Sequence, residues 1–276
     1  MPAFLKALGR EGLPPRLRVW DSRPRLSCEY RLAQTFKHDF FAATGLYAGL
    51  APAADKLVLK VGRRTDLLGL PLAWLGRWLI GREAALYERF SDLSGVPRFA
   101  GRWGRDGFLH VFVEGHPLGK GERVPEQFFP QLQDLLGQVH ARQAAYVDLE
   151  KRENIIVGDD GRPYLIDFQI SWRRPPTWLG RSRPARWLLR RLQESDRYHL
   201  MKHWRRHRPD QLDSAGLARS RAVPAYIRLH RAVARPFTRL RRRTLARLDP
   251  SRAVPGTVVG NGTPDAPLER KVVRSC

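Results

Sequence analysis

The chain has 276 residues, of which 42% are hydrophobic; this excludes general disorder and suffices for one larger domain or two small lobes. Its 50 lysines and arginines against 27 acidic residues give a formal net charge of +23, which indicates an anionic partner: nucleic acid, an anionic membrane surface, or a phosphorylated or acidic substrate. The two cysteines, Cys28 and Cys276, exclude a disulfide framework and a cysteine metal cluster, and they favour a cytoplasmic location.

The first eighty residues contain three segments that differ in composition. Residues 1–30 are rich in proline and arginine, which predicts an N-terminal extension with little regular structure and without a signal peptide. Strand-like runs follow in TFKHDFFAATGLY and DKLVLKVGR. Residues 67–80 form an apolar run too short to span a bilayer, so burial or a position between lobes is favoured over the alternative, a membrane interface.

A helix, a hairpin and a second helix are predicted next. In REAALYERFSDLSG, apolar residues recur at helical spacing up to Phe90, and Gly95 is expected to close the helix. Residues 101–118 predict a hairpin that turns at residues 105–107. The second helix is indicated by an apolar stripe made of Phe129, Leu132, Leu135, Leu136 and Val139.

The segment YVDLEKRENIIVGDDGRPYLIDFQ, residues 146–169, predicts another hairpin, in which two apolar runs flank a polar turn. Asn154 and Asp167 are equally distant from a turn centred between Asp160 and Gly161, so we expect them to lie opposite each other. Asp148 comes just upstream. The sequence therefore predicts Asp, Asn and Asp side chains together at the open end of the hairpin.

Arginine and tryptophan dominate the chain after this hairpin. Residues 172–208 interleave arginines with Trp172, Trp178, Trp187 and Trp204, and they predict one or two amphipathic helices. Residues 214–276 predict a basic helical extension that ends in a tail of disordered composition. Single-stranded nucleic acid, an anionic lipid surface and a solvated basic face are all open as explanations of the arginine and tryptophan clusters.

The Asp, Asn and Asp residues suggest a chemistry. Mg²⁺ prefers carboxylate, amide and phosphate oxygens, and Asn154 and Asp167 on neighbouring strands offer two such ligands. Asp148 would accept a proton from an attacking hydroxyl. Lys60, at the end of the apolar run LVLK, would hold nucleotide phosphates, and either Glu83 or Glu88 would fix it, with Glu83 preferred.

The order of these features (strand lysine, helix glutamate, hairpin, helix, then Asp, Asn and Asp) resembles the order in protein kinases. The chain is similar to the compact bacterial branches of the protein-kinase-like superfamily, namely RIO-type kinases and the lipopolysaccharide core Kdo and heptose kinases. The resemblance covers residues 36–168 and continues weakly to residue 208. It implies a two-lobed α+β protein-kinase-like fold, with an N-lobe over residues 31–115 and a C-lobe over residues 116–213.

The resemblance also assigns roles to single residues. It implies that Asp148 is the catalytic-loop aspartate and that Lys60 contacts nucleotide phosphates with Glu83 as its partner. Backbone groups at Val113 and Glu114, in FVEGHPL, would meet adenine. The metal ligands would be Asn154 and Asp167, and the glycine-containing segment TGLYAG, with Thr44 and Gly45, would be a loose phosphate loop.

Several motifs depart from the kinase pattern. AYVD has no His-Arg before Asp148, the loop to Asn154 is one residue longer than usual, DFQ replaces DFG, and no APE follows. The resemblance implies transfer of the γ-phosphoryl group of ATP, with Mg²⁺, to a hydroxyl of an anionic envelope sugar or glycolipid, or of a protein Ser or Thr. A nucleotide-binding or scaffolding pseudokinase and a basic nucleic-acid-binding protein stay open as alternatives. Peripheral contact with the inner face of the membrane also fits the charge, and the oligomeric state is not indicated.

Overall fold

The larger sheet of the protein has six antiparallel strands. The structure is a computed structural model that describes residues 5–20, 27–50, 55–66 and 70–221. The order across the sheet is β1-β2-β3-β4-β6-β5, so only β5 and β6 depart from the order of the chain. The strands are β1 (Arg16–Trp20), β2 (Ser27–His38), β3 (Ala42–Gly49), β4 (Leu57–Gly62), β5 (Phe99–Trp103) and β6 (Gly107–Val111).

The two faces of this sheet pack against different elements. Side chains alternate along β4, so one set of them joins an apolar cluster with leucines of the N-terminal segment. The members from β4 and from that segment are Leu57, Leu59, Val61, Leu8 and Leu13. The composition of residues 1–30 predicts little regular structure, yet their described part supplies β1, the start of β2 and this buried cover. Lys60 follows Leu59 and therefore points to the opposite face.

Helix α1 (Ala73–Arg89) covers that opposite face. Its buried positions include Gly76, Ile80, Glu83 and Tyr87, which recur every three or four residues and form one stripe. This stripe lays Glu83 against the sheet.

The bounds of α1 differ from those that the sequence predicts. The pattern REAALYERFSDLSG predicts a helix from Arg82 to Gly95, whereas α1 begins at Ala73 and ends at Arg89. The expected burial of residues 67–80 is wrong in part, because most of the described residues of this run form the first half of α1 and place two tryptophans in solvent.

A second apolar cluster contains the predicted apolar stripe of helix α2 (Phe128–Ala141), together with residues of α1, of β6 and of several of the remaining elements. A three-stranded sheet joins β7 (Gly115–Pro117), β9 (Ile155–Gly158) and β10 (Pro163–Leu165) in the order β10-β9-β7. The other elements are β8 (Ala144–Ala145), which pairs with β11 (Trp172–Arg173), and helices α3 (Trp178–Arg181), α4 (Arg183–His207) and α5 (Ser214–Arg221).

These elements make a mixed α and β structure, as expected at the level of fold class. The hairpin of β5 and β6 and the helix over residues 128–141 are confirmed, and the amphipathic segment after residue 182 is one helix of 25 residues. The predicted extension over residues 214–276 is described only as far as Arg221, and the rest lies outside the described residues.

Stability should depend on pH through His203, a buried histidine on α4. Burial lowers the pKa of His203 to about 4, so the folded protein keeps this ring neutral at pH values where the unfolded chain protonates it. The free energy of unfolding should therefore fall as the pH falls from about 6.5 towards 4, by about 2 kcal/mol at pH 5 for this group. Denaturant unfolding of the wild type and of His203→Gln at about pH 8 and pH 5 checks this: the variant should lose about 2 kcal/mol less. Equal losses in the two proteins would contradict it.

Candidate functional site

Lys60 lies between two carboxylates that come from distant parts of the chain. Its Nζ donates to Glu83 Oε1 at 2.7 Å and to Asp167 Oδ1 at 2.8 Å. Glu83 reaches Lys60 because it belongs to the buried stripe of α1, whereas Glu88 is five residues further along, exposed, and paired with Arg102. The structure thus brings together Lys60, Glu83 and Asp167 and leaves Glu88 on the surface.

The charges of this group are shaped by burial. Burial alone would lower the pKa of Lys60, but the carboxylates of Glu83 and Asp167 together outweigh it and raise that pKa, so the lysine is held as a cation. Burial raises the pKa of Glu83 to about 7 against the opposing effect of Lys60. The Oε2 atom of Glu83 is buried without a hydrogen-bond partner among the described residues. Burial opposes ionisation of Asp167 too, but Lys60 keeps the pKa of that carboxyl below its ordinary value.

A second lysine, which the sequence did not single out, lies in the same row of the sheet. Lys37 on β2 pairs with Thr44 on β3, and Thr44 pairs with Lys60 on β4, so the three side chains share one face. Lys37 Nζ pairs with Asp39 Oδ2 at 2.8 Å, and the Lys37 charge also contributes, after Lys60, to the lowered pKa of Asp167. The row therefore places two lysines on one face of the sheet, of which Lys60 is buried and Lys37 is exposed.

Gly45 does not form part of this face. It pairs with Leu59 and points to the other side of the sheet, where a Cβ would lie 2.6 Å from the side chain of Leu13. Its small size therefore serves packing against Leu13, and it lies within a strand and not in the loop that the resemblance implies. Thr44 stays on the site face, but in the interior of a strand and not in a loop.

The turn between β2 and β3 has few backbone donors to offer a phosphate. Phosphate-binding loops use free backbone N–H groups. In this turn Asp39 Oδ1 accepts the N–H groups of Phe41 and Ala42 at 2.9 and 3.0 Å. These two N–H groups are therefore not free to bind a phosphate.

The hairpin that carries Asn154 and Asp167 forms as predicted, but its register is shifted by one residue. Gly158 N–H donates to the Arg162 carbonyl at 2.9 Å, so the loop consists of residues 159–161 and is centred on Asp160. Gly161 takes the left-handed conformation that such a loop requires, with φ of 76°. As a result Asn154 lies opposite Ile166, whose N–H donates to the Asn154 carbonyl at 3.1 Å.

Asp167 is turned towards Lys60 by its own backbone. Its φ is 60°, an uncommon conformation for a residue with a side chain. Its N–H donates to the hydroxyl of Tyr87 at 3.1 Å, which ties the segment after β10 to helix α1. The Tyr146 hydroxyl also donates to the Ile166 carbonyl. Two buried tyrosines thus fix the backbone on either side of the link from Ile166 to Asp167.

Asp148 lies in the loop before the hairpin and contacts two residues of this region. Asn154 Nδ2 donates to Asp148 Oδ2 at 2.9 Å, which leaves the Asn154 amide oxygen as the atom suited to a cation. Lys151 Nζ donates to the same Oδ2 at 2.7 Å. Lys151 is exposed, and its charge also helps to lower the pKa of Asp167. This places a third cation near the group.

The backbone before Asp148 is held by a residue that sequence reasoning missed. Asp196 on α4 is fully buried, and its two oxygens accept the N–H groups of Tyr146 at 2.8 Å and Val147 at 2.7 Å. His140 Nε2 lies 3.0 Å from the same carboxylate. Val147 has a φ of 72°, which is strained for a β-branched residue. Asp196 therefore stabilises an unfavourable conformation next to Asp148.

Val113 and Glu114 lie in the segment that connects β6 to β7, and thus the larger sheet to the smaller one. The Glu114 carbonyl accepts the Asp159 N–H at 3.0 Å, and the Glu114 side chain pairs with Lys56 at 2.6 Å. Val113 is half-buried. Of the two residues, Val113 is the better candidate for backbone contact with a base, because Glu114 already bonds through both its carbonyl and its side chain.

Two comparisons with known proteins found no match for the chain. No protein-family model matches it, and no curated protein matches it either. Within the described ranges, no cluster of three or more His, Cys, Asp or Glu side chains could hold a metal ion. No helix in these ranges is long and apolar enough to cross a membrane. The kinase resemblance thus stays an expectation, and a functional proposal depends on the geometry of the site.

Proposed function

We propose that the chain is an ATP-dependent phosphotransferase with a two-lobed protein-kinase-like fold, and that it transfers the γ-phosphoryl group to a hydroxyl. One observation carries the proposal: Lys60, Glu83 and Asp167 meet within hydrogen-bond distance although 107 residues separate Lys60 from Asp167. Removing a lysine and its two carboxylates from water costs more free energy than burying apolar side chains of similar size would. Such an arrangement is typical of a functional site rather than of a stabilising one.

The donor set fits Mg²⁺ and nucleotide phosphates. Mg²⁺ is bound in nucleotide sites by one or two protein oxygens together with substrate phosphates, so a cluster of three carboxylates is not required. Asp167, whose side chain is 27% exposed, and the amide oxygen of Asn154 would hold the ion. Lys37, Lys60 and Lys151 would face the phosphates. When bound, the ion would neutralise charge on the transferred group.

The chain's own residues would then act by position and charge. Lys60, fixed by Glu83, would hold a nucleotide phosphate and oppose the negative charge that develops during transfer. Asp148 would orient the acceptor hydroxyl and accept its proton. Lys151, bonded to Asp148, would keep this carboxylate at the mouth of the hairpin. Val113 would offer backbone groups to the adenine.

Among acceptors, an anionic envelope sugar or glycolipid fits the net charge of +23 best, and a protein Ser or Thr is second. A cytoplasmic location follows from the need for ATP and from the cysteine content. The alternative of a nucleotide-binding pseudokinase is favoured by one observation, the engagement of Asp148 by both Lys151 and Asn154.

Mg²⁺-dependent ATP binding by the full chain tests the proposal. Asp167→Asn should weaken binding of ATP in the presence of Mg²⁺ by at least about tenfold, because it removes the charged metal ligand, and should change metal-free binding less. Calorimetric titration with ATP, with Mg²⁺ and with EDTA, measures both. Asp134→Asn, which removes an exposed carboxylate from helix α2, is the control and should bind as the wild type does.

Two other results would redirect the assignment. Mg²⁺-dependent binding by the wild type without ATP hydrolysis, and without transfer to any sugar, glycolipid or protein acceptor offered, would favour the pseudokinase. No ATP binding at all would overturn the site. Tight, salt-dependent binding of nucleic acid that Asp167→Asn leaves unchanged would then favour the nucleic-acid-binding alternative.

A further inference from the structure

Two groups of large apolar side chains are exposed beside the candidate site. The first lies at the start of α1, where Trp74 and Trp78 are one turn apart and follow Leu70 by four and eight residues. The second lies between β10 and the first turns of α4. We call the two groups together the Trp–Leu surface; its members are Leu70, Trp74, Trp78, Ile170, Trp178, Leu179, Trp187 and Leu188.

Arg82 joins the two groups. Its guanidinium lies over the ring of Trp78, 4.7 Å from the ring centroid, and donates to the Ser171 carbonyl at 3.2 Å. Ser171 follows the exposed Ile170 directly. Arg82 therefore links Trp78 on α1 to the segment after β10, directly beside Ile170.

The segment that carries the second group is positively charged throughout. From Phe168 to Gln193 the sequence contains no acidic residue and seven arginines: Arg173, Arg174, Arg181, Arg183, Arg186, Arg190 and Arg191. Most of them are exposed, and the Arg191 guanidinium lies 5.7 Å from the ring centroid of Trp187. Exposed apolar side chains and positive charge thus occur in the same segment.

We propose that the Trp–Leu surface docks on an anionic lipid bilayer and lies at the membrane–water interface. Tryptophan favours this interface, and arginines near it are attracted by anionic headgroups while their stems cover apolar surface. A folded protein rarely exposes so many large apolar residues together unless they meet a partner. The combination of apolar anchors with arginines matches the chemistry of an anionic bilayer surface.

The aliphatic members of the surface favour lipid over nucleic acid. Single-stranded nucleic acid is bound by aromatic rings on which bases stack and by arginines that meet phosphates. Leu70, Ile170, Leu179 and Leu188 have no ring to stack, and they are exposed beside the tryptophans. Acyl chains at the headgroup boundary would bury aliphatic and aromatic side chains alike.

The docking surface begins next to the candidate site. Ile170 follows Asp167 by three residues, and Arg82 immediately precedes Glu83 on α1. Attachment there would hold the site close to the lipid surface. Docking is independent of phosphoryl transfer, so its test does not depend on the proposed activity.

Vesicle flotation of the full chain tests the docking surface. The wild type should bind vesicles of phosphatidylcholine mixed with phosphatidylglycerol at physiological ionic strength, and bind phosphatidylcholine vesicles weakly. Trp74→Ser combined with Trp78→Ser, and Trp178→Ser combined with Leu179→Ser, should each lower the partition coefficient by at least about tenfold, because they remove apolar anchors without changing the net charge. Leu50→Ser, which replaces an exposed apolar residue just after β3, is the control and should bind as the wild type does.

A charge-reversal pair separates local from general attraction. Arg183→Glu combined with Arg186→Glu should weaken vesicle binding more than Arg16→Glu combined with Arg31→Glu, which reverses two exposed cross-strand partners on β1 and β2. Equal losses in the two pairs, or unchanged binding in the serine variants, would show that net charge alone drives adsorption and would overturn the proposal. A different result would assign the surface to nucleic acid instead. In that case single-stranded RNA would displace the wild type from vesicles, and the serine variants would no longer bind this RNA.

Discussion

Replacing Asp148 with Asn is expected to lower the rate of ATP turnover by about 10²–10⁴-fold, the usual contribution of a positioned general base. The affinity for ATP with Mg²⁺ should fall much less than the rate, because Asp148 bonds to neither Lys60 nor Asp167, and because Asn at position 148 can still accept the hydrogen bonds of Lys151 and Asn154. Asn keeps the size of the side chain and an oxygen that accepts hydrogen bonds, so the loop should stay folded. Steady-state hydrolysis with water as the acceptor measures the rate, and calorimetric titration measures the affinity.

Glu153→Gln is the matched control for Asp148→Asn. Glu153 lies in the same loop and is exposed, so removal of its charge should leave turnover within about twofold of the wild type. Loss of ATP binding in Asp148→Asn would assign Asp148 to the nucleotide site rather than to proton transfer. Unchanged turnover in this variant would remove it from the mechanism.

The local parts of the site could be predicted from the sequence because they depend on short-range patterns. Alternation along LVLK places Lys60 on the face opposite Leu59, and helical spacing distinguishes Glu83 from Glu88. Two apolar runs around GDDG predict the hairpin correctly. The predicted register is wrong by one residue, since a three-residue loop with a left-handed glycine and a two-residue turn fit the same four letters.

Other parts depend on tertiary packing and leave no local signal. Lys37 is close to the site only because two irregular steps in the pairing of β2 with β3 bring it opposite Thr44. At the start of α1, the small residue Gly76 faces the sheet, where a Cβ would clash with the Arg63 carbonyl oxygen. The large residues at positions 74 and 78 face solvent instead. The apolar composition of this run predicts that the tryptophans are buried. It does not show that the helix and the strand approach too closely for a large side chain to fit between them.

Asp196 is the clearest case of a residue that tertiary structure alone identifies, and its loss should have a large effect on stability. Asp196→Ala should reduce the free energy of unfolding by about 3 kcal/mol or more, because two buried N–H groups and His140 lose a charged partner. Chemical denaturation measures this loss. Glu194→Gln, which removes a partly exposed carboxylate two residues away on the same helix, should cost less than about 0.5 kcal/mol. Similar stabilities of the two variants would contradict the structural role of Asp196.

A rescue experiment distinguishes positioning of Asp148 from general stabilisation. Asp196→Asn keeps the shape of the side chain but replaces one acceptor with a donor, so one of the N–H groups of Tyr146 and Val147 should lose its bond and the loop should move. ATP turnover should fall, because Asp148 directly follows Val147. Val147→Gly should restore part of the turnover in the Asp196→Asn background, since glycine adopts a φ of 72° without the cost of about 1–3 kcal/mol that valine bears. If Val147→Gly changes stability but not turnover in that background, Asp196 supports the fold without positioning the catalytic loop.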